Sequence, residues 1–111
     1  MEFAKELSGD VVIVKLSGRL DSSTAQPAEE SFAGVLAGGP QHLAIDMSHL
    51  EYISSAGLRV LLVVAKKVQQ AKGKVVLFGL VRNVREVFSI SGFDRIFAIQ
   101  SDMAAAIAAV R

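Results

Sequence analysis

The chain has 111 residues, of which 51% are hydrophobic and 21% are charged, a composition typical of one packed domain covering residues 1–111. Its 12 basic and 11 acidic residues nearly cancel, and tryptophan is absent, which argues against a nucleic-acid-binding protein. There is no cysteine, no apolar run of the ~18 residues that span a membrane, and no signal-peptide core, so we expect a cytoplasmic protein without disulfides, thiolate metal sites or membrane contact.

The first two predicted strands form an N-terminal hairpin. A weakly alternating segment, about Glu2 to Leu7, leads to a turn at Ser8-Gly9-Asp10. The run from Val11 to Leu16 is apolar and rich in β-branched residues, which predicts a buried strand. Gly18 then marks either a bulge or the end of that strand.

The first predicted helix begins in a segment of capping residues, Asp21-Ser22-Ser23-Thr24. We predict Thr24 as the N-cap, because Pro27 then occupies the third helical position, where its missing amide hydrogen costs no helix bond. The helix is expected to run to about Ala37, where Gly38-Gly39-Pro40 would end it.

Strands and helices alternate in the remainder of the chain. The predicted strands are Leu43–Met47, Val75–Phe78 and Ile96–Ile99. The predicted helices are Ala56–Ala71, Arg82–Ile90 and a last helix capped by Ser101. This last helix has Asp102 in its first turn and an apolar stripe of Met103, Ile107 and Val110. The order β-β-α-β-α-β-α-β-α predicts an α/β fold with a mixed, mostly parallel sheet and right-handed crossovers.

Two adjacent serines, Ser54 and Ser55, lie where a short loop after Met47 opens into the long helix. The first backbone N–H groups of a helix lack intrahelical partners and the dipole is positive there, so a phosphate on one of these hydroxyls would be stabilised. Only one serine can cap, and Gly57 in the first turn costs about 1 kcal/mol of helix propensity. We interpret the pair as a modifiable site where a small residue lets a partner approach; the alternative is an ordinary N-cap.

One face of the long helix is basic. No acidic residue occurs between Ser55 and Lys72, and one stripe at helical spacing continues from Ser55 through Arg59, Val63, Lys66, Lys67 and Gln70. These cations either keep an outer face soluble or form a docking face for an acidic partner. In the second interpretation Val63 is an exposed apolar anchor and Arg59 makes a charged hydrogen bond.

Motifs of enzyme chemistry are absent from the sequence. It contains no Gly-x-Ser-x-Gly elbow, Ser-x-x-Lys pair, Walker phosphate loop or dinucleotide glycine fingerprint. The two histidines, His42 and His49, match no metal-ligand spacing, and the sequence alone gives no geometry by which His49 would activate Ser55. We therefore expect a non-enzyme with no catalytic residue, metal or cofactor.

Three segments resemble the STAS domain family, specifically the bacterial anti-sigma factor antagonists. Gly18–Ala25 is similar to the family's first loop, Leu50–Leu58 to its phosphorylation loop, and Arg82–Phe93 to its third helix and following turn. The resemblance implies helices packed mainly on one face of the sheet. Aligned on Gly57-Leu58, the family's phosphoacceptor is Ser55; Ser54 stands where a common family pattern has Asp, and it is the alternative acceptor.

The resemblance also implies a partner-switching function. An unmodified antagonist binds an anti-sigma factor that is also a serine kinase and a sigma factor is released; phosphorylation of Ser55 breaks the complex, and a serine phosphatase restores the antagonist. The implied partner-binding residues are Asp21, Ser22, Ser23, Ser54, Ser55, Ala56, Gly57, Arg59, Val63 and Lys66. Two alternatives stay open: a non-phosphorylated scaffold subunit, for example of a lipid-transport complex, and a nucleotide-binding sensor or weak hydrolase.

Overall fold

The computed structural model describes residues 1–38 and 42–111, and in them strands and helices follow the predicted order. The elements are β1 (Glu2–Ser8), β2 (Val11–Leu20), α1 (Ala25–Leu36), β3 (His42–Ile53), α2 (Ser55–Gln70), β4 (Val75–Phe78), α3 (Arg82–Ser91), a 3-10 helix (Phe93–Arg95), β5 (Ala98–Gln100) and α4 (Met103–Val110). The α/β fold class predicted from the sequence is confirmed.

The described strands form one mixed sheet in which neighbours in sequence are neighbours in space. Its order is β1-β2-β3-β4-β5, with β1 antiparallel to β2 and the other pairs parallel. Each parallel pair is joined through one helix, and right-handed crossovers that progress in one direction place α1, α2 and α3 on the same side of the sheet. The carboxyl ends of β2 and β3 consequently lie side by side.

Successive side chains of a strand point to opposite faces of the sheet, and apolar side chains lie on both of these faces. On the front face, Val12 and Val14 belong to the larger core, which α1, α2 and α3 cover. On the back face, Val11 and Ile13 belong to a smaller core with Ala106 and Val110 of α4. The expectation that most helices pack on one face is confirmed, and α4 is the exception.

The second and third strands are longer than predicted. Gly18 has φ +91° and the pairing with β3 shifts between Gly18 and Arg19, so it marks a bulge and β2 continues to Leu20. The prediction of a loop after Met47 is wrong. The strand β3 continues beside the extended end of β2, and Ile53 pairs with Leu20. Leu20 and Ile53 are both buried, and their burial favours the longer ribbon over a loop.

The last strand and the last cap also differ from the prediction. The strand predicted over 96–99 begins at Ala98, because Gly92 turns the chain in a left-handed conformation and Ile96 donates its amide hydrogen to the Phe93 carbonyl, closing a 3-10 turn. Ser101 is not the cap of α4. Asp102 has that role, since it is extended and its carboxylate accepts the Ala105 amide at 2.9 Å.

The start of α1 agrees with the prediction, although its cap works differently. Thr24 is the N-cap and Pro27 occupies the third helical position. The Thr24 hydroxyl donates to the Arg19 carbonyl at 2.9 Å and accepts the Asp21 amide at 2.9 Å, so it closes the preceding loop. The predicted helix stop at 38–40 falls mostly outside the described residues, which omit 39–41.

Candidate functional site

The carboxyl end of β3 is fixed to β2 at Ser54, the single residue between β3 and α2. Its amide donates to the Leu20 carbonyl at 3.0 Å, and its Oγ accepts the Gly57 amide at 3.4 Å. Ser54 is therefore the N-cap of α2, in the extended conformation that such residues adopt. Its side chain is half-buried and already engaged in the cap.

Ser55 is the first residue of α2 and is exposed. Within residues 1–38 and 42–111, its hydroxyl has no hydrogen-bond partner, so it is free to accept a chemical group. His49 is exposed and its Nδ1 lies 3.1 Å from the Ser48 hydroxyl, which donates to Asp46 at 2.6 Å. No hydrogen bond joins His49 to Ser55 within the described residues.

Gly57 is buried and faces the interior of the protein. A Cβ at this position would lie 2.5 Å from the Leu20 carbonyl oxygen and 2.8 Å from Cγ1 of Ile53. The predicted reason for this glycine, close approach of a partner, is therefore wrong: the atoms that approach it belong to β2 and β3. Its absent side chain lets α2 begin directly against the end of the β2–β3 ribbon.

The first loop lies at the same edge of the sheet as Ser54, because β2 and β3 are parallel and end together. Asp21 accepts both the Ser23 hydroxyl (2.7 Å) and the Ser23 amide (3.0 Å), and it pairs with Arg19 at 3.5 Å. These hydrogen bonds, led by the Ser23 hydroxyl, lower the pKa of the Asp21 carboxyl below its usual value. Ser22 and Ser23 are exposed beside it.

Four residues that were not predicted as site residues form two further contacts at this edge. The Arg19 guanidinium lies over the Tyr52 ring, 4.2 Å from its centroid. The Asn83 side chain in the first turn of α3 donates to the Glu51 carbonyl. The sequence carries no signal for either contact, since both depend on how the β2–β3 ribbon and α3 meet.

The basic face of α2 is exposed at Arg59, Lys66, Lys67 and Gln70. Val63 is half-buried, not exposed as predicted, because it lines a cleft between α1 and α2 with Phe32 and Leu36. Ala56, in the first turn, is half-buried as well. The site thus presents a free hydroxyl followed by a row of cations, with its apolar component in the cleft.

Neither a metal site nor a bilayer-crossing helix was found in the part of the chain that the structure describes. No group of three or more His, Cys, Asp or Glu side chains is arranged there to hold a metal ion. None of its helices combines the length and hydropathy needed to cross a bilayer.

The chain is similar to a known domain family and to several named proteins. The family model described as the STAS domain matches residues 2–106. The chain belongs to the STAS domain family. This STAS chain is 40% identical over 111 residues to BtrV of Bordetella bronchiseptica, provisionally named an anti-sigma factor antagonist, with 100% of this chain and 96% of the relative covered.

Two further relatives bear similar names. The anti-sigma-F factor antagonist RsfB of Mycobacterium tuberculosis is 32% identical over 104 residues, which cover 91% of the STAS chain and 82% of RsfB. The crystal structure of an anti-sigma factor antagonist from Mycobacterium paratuberculosis is 28% identical and superposes with a TM-score of 0.89, covering 99% of the STAS chain and 93% of that protein. The family expected from the sequence motifs is confirmed.

Proposed function

We propose that residues 1–111 act as one STAS domain that serves as an anti-sigma factor antagonist in the cytoplasm. In its unmodified form it binds an anti-sigma factor that is also a serine kinase, and a sigma factor is thereby released. Phosphorylation of Ser55 by that kinase ends the interaction, and a serine phosphatase restores it. The names of the relatives support a regulatory binding protein and not an enzyme.

The observation that carries this proposal is the difference between the two serines. Ser54 is half-buried and uses its oxygen to cap α2, whereas the Ser55 hydroxyl is exposed and, within the described residues, unpaired. A kinase needs a hydroxyl that it can reach and that gives up no structural bond when it is esterified. Ser55 meets both requirements, which supports it over Ser54 as the acceptor.

The charges around Ser55 account for both binding and release. The exposed cations Arg59, Lys66 and Lys67 continue from Ser55 along α2 and favour an acidic partner surface. A phosphoserine adds a charge of about −1.5 to −2. Within the domain this charge lies at the positive end of α2 and is tolerated. In a complex it faces the acidic partner and loses hydration, so the interface opens while the domain stays folded.

The proposed docking surface consists of the exposed first loop, the start of α2 and its basic face. Its residues are Asp21, Ser22, Ser23, Ser54, Ser55, Ala56, Arg59, Val63 and Lys66. Gly57 is buried beneath this surface and shapes it without being exposed. Because the Asp21 oxygens are already bonded to Ser23 and Arg19, we assign Asp21 the task of holding the loop. The exposed serines and cations then make the contacts.

The test is phosphorylation by the cognate anti-sigma factor kinase with ATP, followed by mass spectrometry that locates the phosphate. We expect one phosphate on Ser55 in the wild type and no transfer to Ser55→Ala. Ser54→Ala is the matched control: it loses a cap that contributes about 1 kcal/mol but keeps the acceptor, so it should still be modified. Phosphate on Ser54, or wild-type transfer to Ser55→Ala, contradicts the assignment.

The same mixture separates the proposal from the scaffold alternative. The unphosphorylated antagonist should bind the kinase tightly, and its phosphorylated form should dissociate from the kinase. A scaffold subunit would keep its partners whether or not ATP is present. Size-exclusion chromatography before and after ATP addition distinguishes these outcomes.

A further inference from the structure

The segment of β3 that leads to Ser55 pairs with a neighbouring strand on one side only. Within the described residues, the pairing of β3 with β4 ends at Asp46 and Phe78. The following residues of β3, up to Ile53, therefore extend past β4 and pair only with β2. A strand with a free edge is less well fixed than one paired on both sides, because half of its backbone groups lack a strand partner.

On the β2 side, this segment is firmly attached. The Ser54 amide donates to the Leu20 carbonyl at 3.0 Å, and the Tyr52 ring is covered by the Arg19 guanidinium at 4.2 Å. On the opposite side, where β4 no longer reaches, the Asn83 side chain donates to the Glu51 carbonyl. This bond joins residues 32 apart in sequence. The Asn83 amide thus occupies the place that a neighbouring strand would take.

We propose that Asn83 is a positioning residue for the phosphoacceptor, acting through the Glu51 carbonyl to fix the point from which α2 begins. The inference rests on the proposed function of Ser55. Without the Asn83 bond, only β2 holds the segment that leads to Ser55. The Ser55 hydroxyl is then unchanged chemically, but its position relative to the rest of the sheet becomes variable. A displacement of about 1 Å lowers the rate of a group transfer by up to about 100-fold, so phosphorylation should suffer even though Ser55 is intact.

The position of Asn83 in α3 allows this role to be separated from a role in helix stability. Asn83 is exposed and is the second helical residue after the cap Val81. A carboxylate at that position is favoured by the dipole of α3. It can only accept hydrogen bonds, however, and it repels the Glu51 carbonyl. Asn83→Asp should therefore leave α3 at least as stable and still release the acceptor segment.

The first measurement uses the free protein and amide hydrogen exchange. In Asn83→Asp we expect exchange at Ser54 and Leu58, whose amides donate to the Leu20 and Ser54 carbonyls, to become about tenfold faster. Exchange at Leu77, in the centre of the sheet, should not change, which shows that the opening is local. Gln69→Glu makes the same amide-to-carboxylate change at an exposed position of α2 and is the matched control.

The second measurement is kcat/KM for phosphorylation by the anti-sigma factor kinase. We expect a decrease of about 10- to 100-fold in Asn83→Asp and no decrease in Gln69→Glu. Asn83→Ala removes the donor without adding charge near the kinase, so it should show the same direction of change. This variant excludes simple repulsion of the kinase as the cause.

The outcomes distinguish this inference from the proposal on which it rests. If the wild type is not phosphorylated, the proposed function fails, and the exchange measurement still tests the contact. If the wild type is phosphorylated and the Asn83 variants are modified at the same rate, the positioning role is overturned whatever the exchange shows. Unchanged exchange at Ser54 and Leu58 overturns it as well.

Discussion

Ser54 and Ser55 are adjacent in the chain, yet their hydroxyls differ in exposure and hydrogen bonding. The strand ends and the helix begins with only Ser54 between them, so one hydroxyl must cap and the next projects from the first turn. The sequence predicts that only one can cap but does not say which. The answer depends on the length of β3, which is set by its pairing with β2.

The Asp21 carboxyl should make the stability of the fold depend on pH. Its pKa in the folded protein is lowered, mainly by the Ser23 hydroxyl, below the value of ~3.9 typical of an unfolded chain. Its ionised form therefore stabilises the fold at every pH above the unfolded value, and this contribution is lost as the pH falls through the folded pKa. A carboxyl-carbon NMR titration should show Asp21 titrating below the ordinary range.

Removing the hydroxyl tests the cause of this shift. Ser23→Ala should move the Asp21 pKa back toward its ordinary value, because it removes the hydroxyl hydrogen bond that lowers this pKa most. Ser22→Ala is the matched control, since this exposed neighbour lies in the same loop and makes no bond to Asp21 within the described residues. Equal effects of the two substitutions would contradict the assignment.

The junction of α2 with the β2–β3 ribbon depends on Gly57. Alanine would improve helix propensity by about 1 kcal/mol. Its Cβ would, however, meet the Leu20 carbonyl oxygen at 2.5 Å, and a backbone atom cannot move aside cheaply. Overpacking of this kind costs about 1–3 kcal/mol, so the close contact should outweigh the propensity gain.

We therefore predict that Gly57→Ala lowers the free energy of unfolding by up to about 2 kcal/mol, measured by urea denaturation. Gly34→Ala, inside α1, is the matched control. A Cβ at Gly34 would meet nothing within 4 Å, so alanine there should raise the free energy of unfolding by about 0.5–1 kcal/mol. Stabilisation by both substitutions would show that the start of α2 has room for a side chain.

In the domain as a whole, the site lies at one edge of the sheet and the small core under α4 lies on the far face. Phosphate on the exposed Ser55 hydroxyl touches neither core. We predict that amide NMR shifts change only in the first loop, at the start of α2 and near Asn83, while those of α4 stay unchanged. Changes throughout α4 would contradict a local switch and indicate a rearrangement of the sheet.

The sequence was sufficient for the order of the elements, the mixed sheet and the family, because hydrophobic periodicity, caps and two loop motifs agree with one another. Prediction from the sequence failed where contacts between distant parts of the chain determine the length of a strand or the burial of a side chain. The extension of β3 to Ile53 needs β2 beside it, and the half-burial of Val63 needs α1 beside α2. Asp102 displaced the predicted cap Ser101 because both residue types suit that position, and only the backbone direction separates them.

The abrupt change from β3 to α2 has a consequence for any enzyme that modifies Ser55. Many modifying enzymes draw a flexible peptide through a groove and read its residues one after another. A serine wound into the first turn of a helix, with Ser54 bonded to Leu20 behind it, cannot be drawn out in that way without unwinding the turn. Recognition must then read a shape assembled from separate parts of the chain, so a short synthetic copy of residues 50–60 would be a poor substitute for the folded protein.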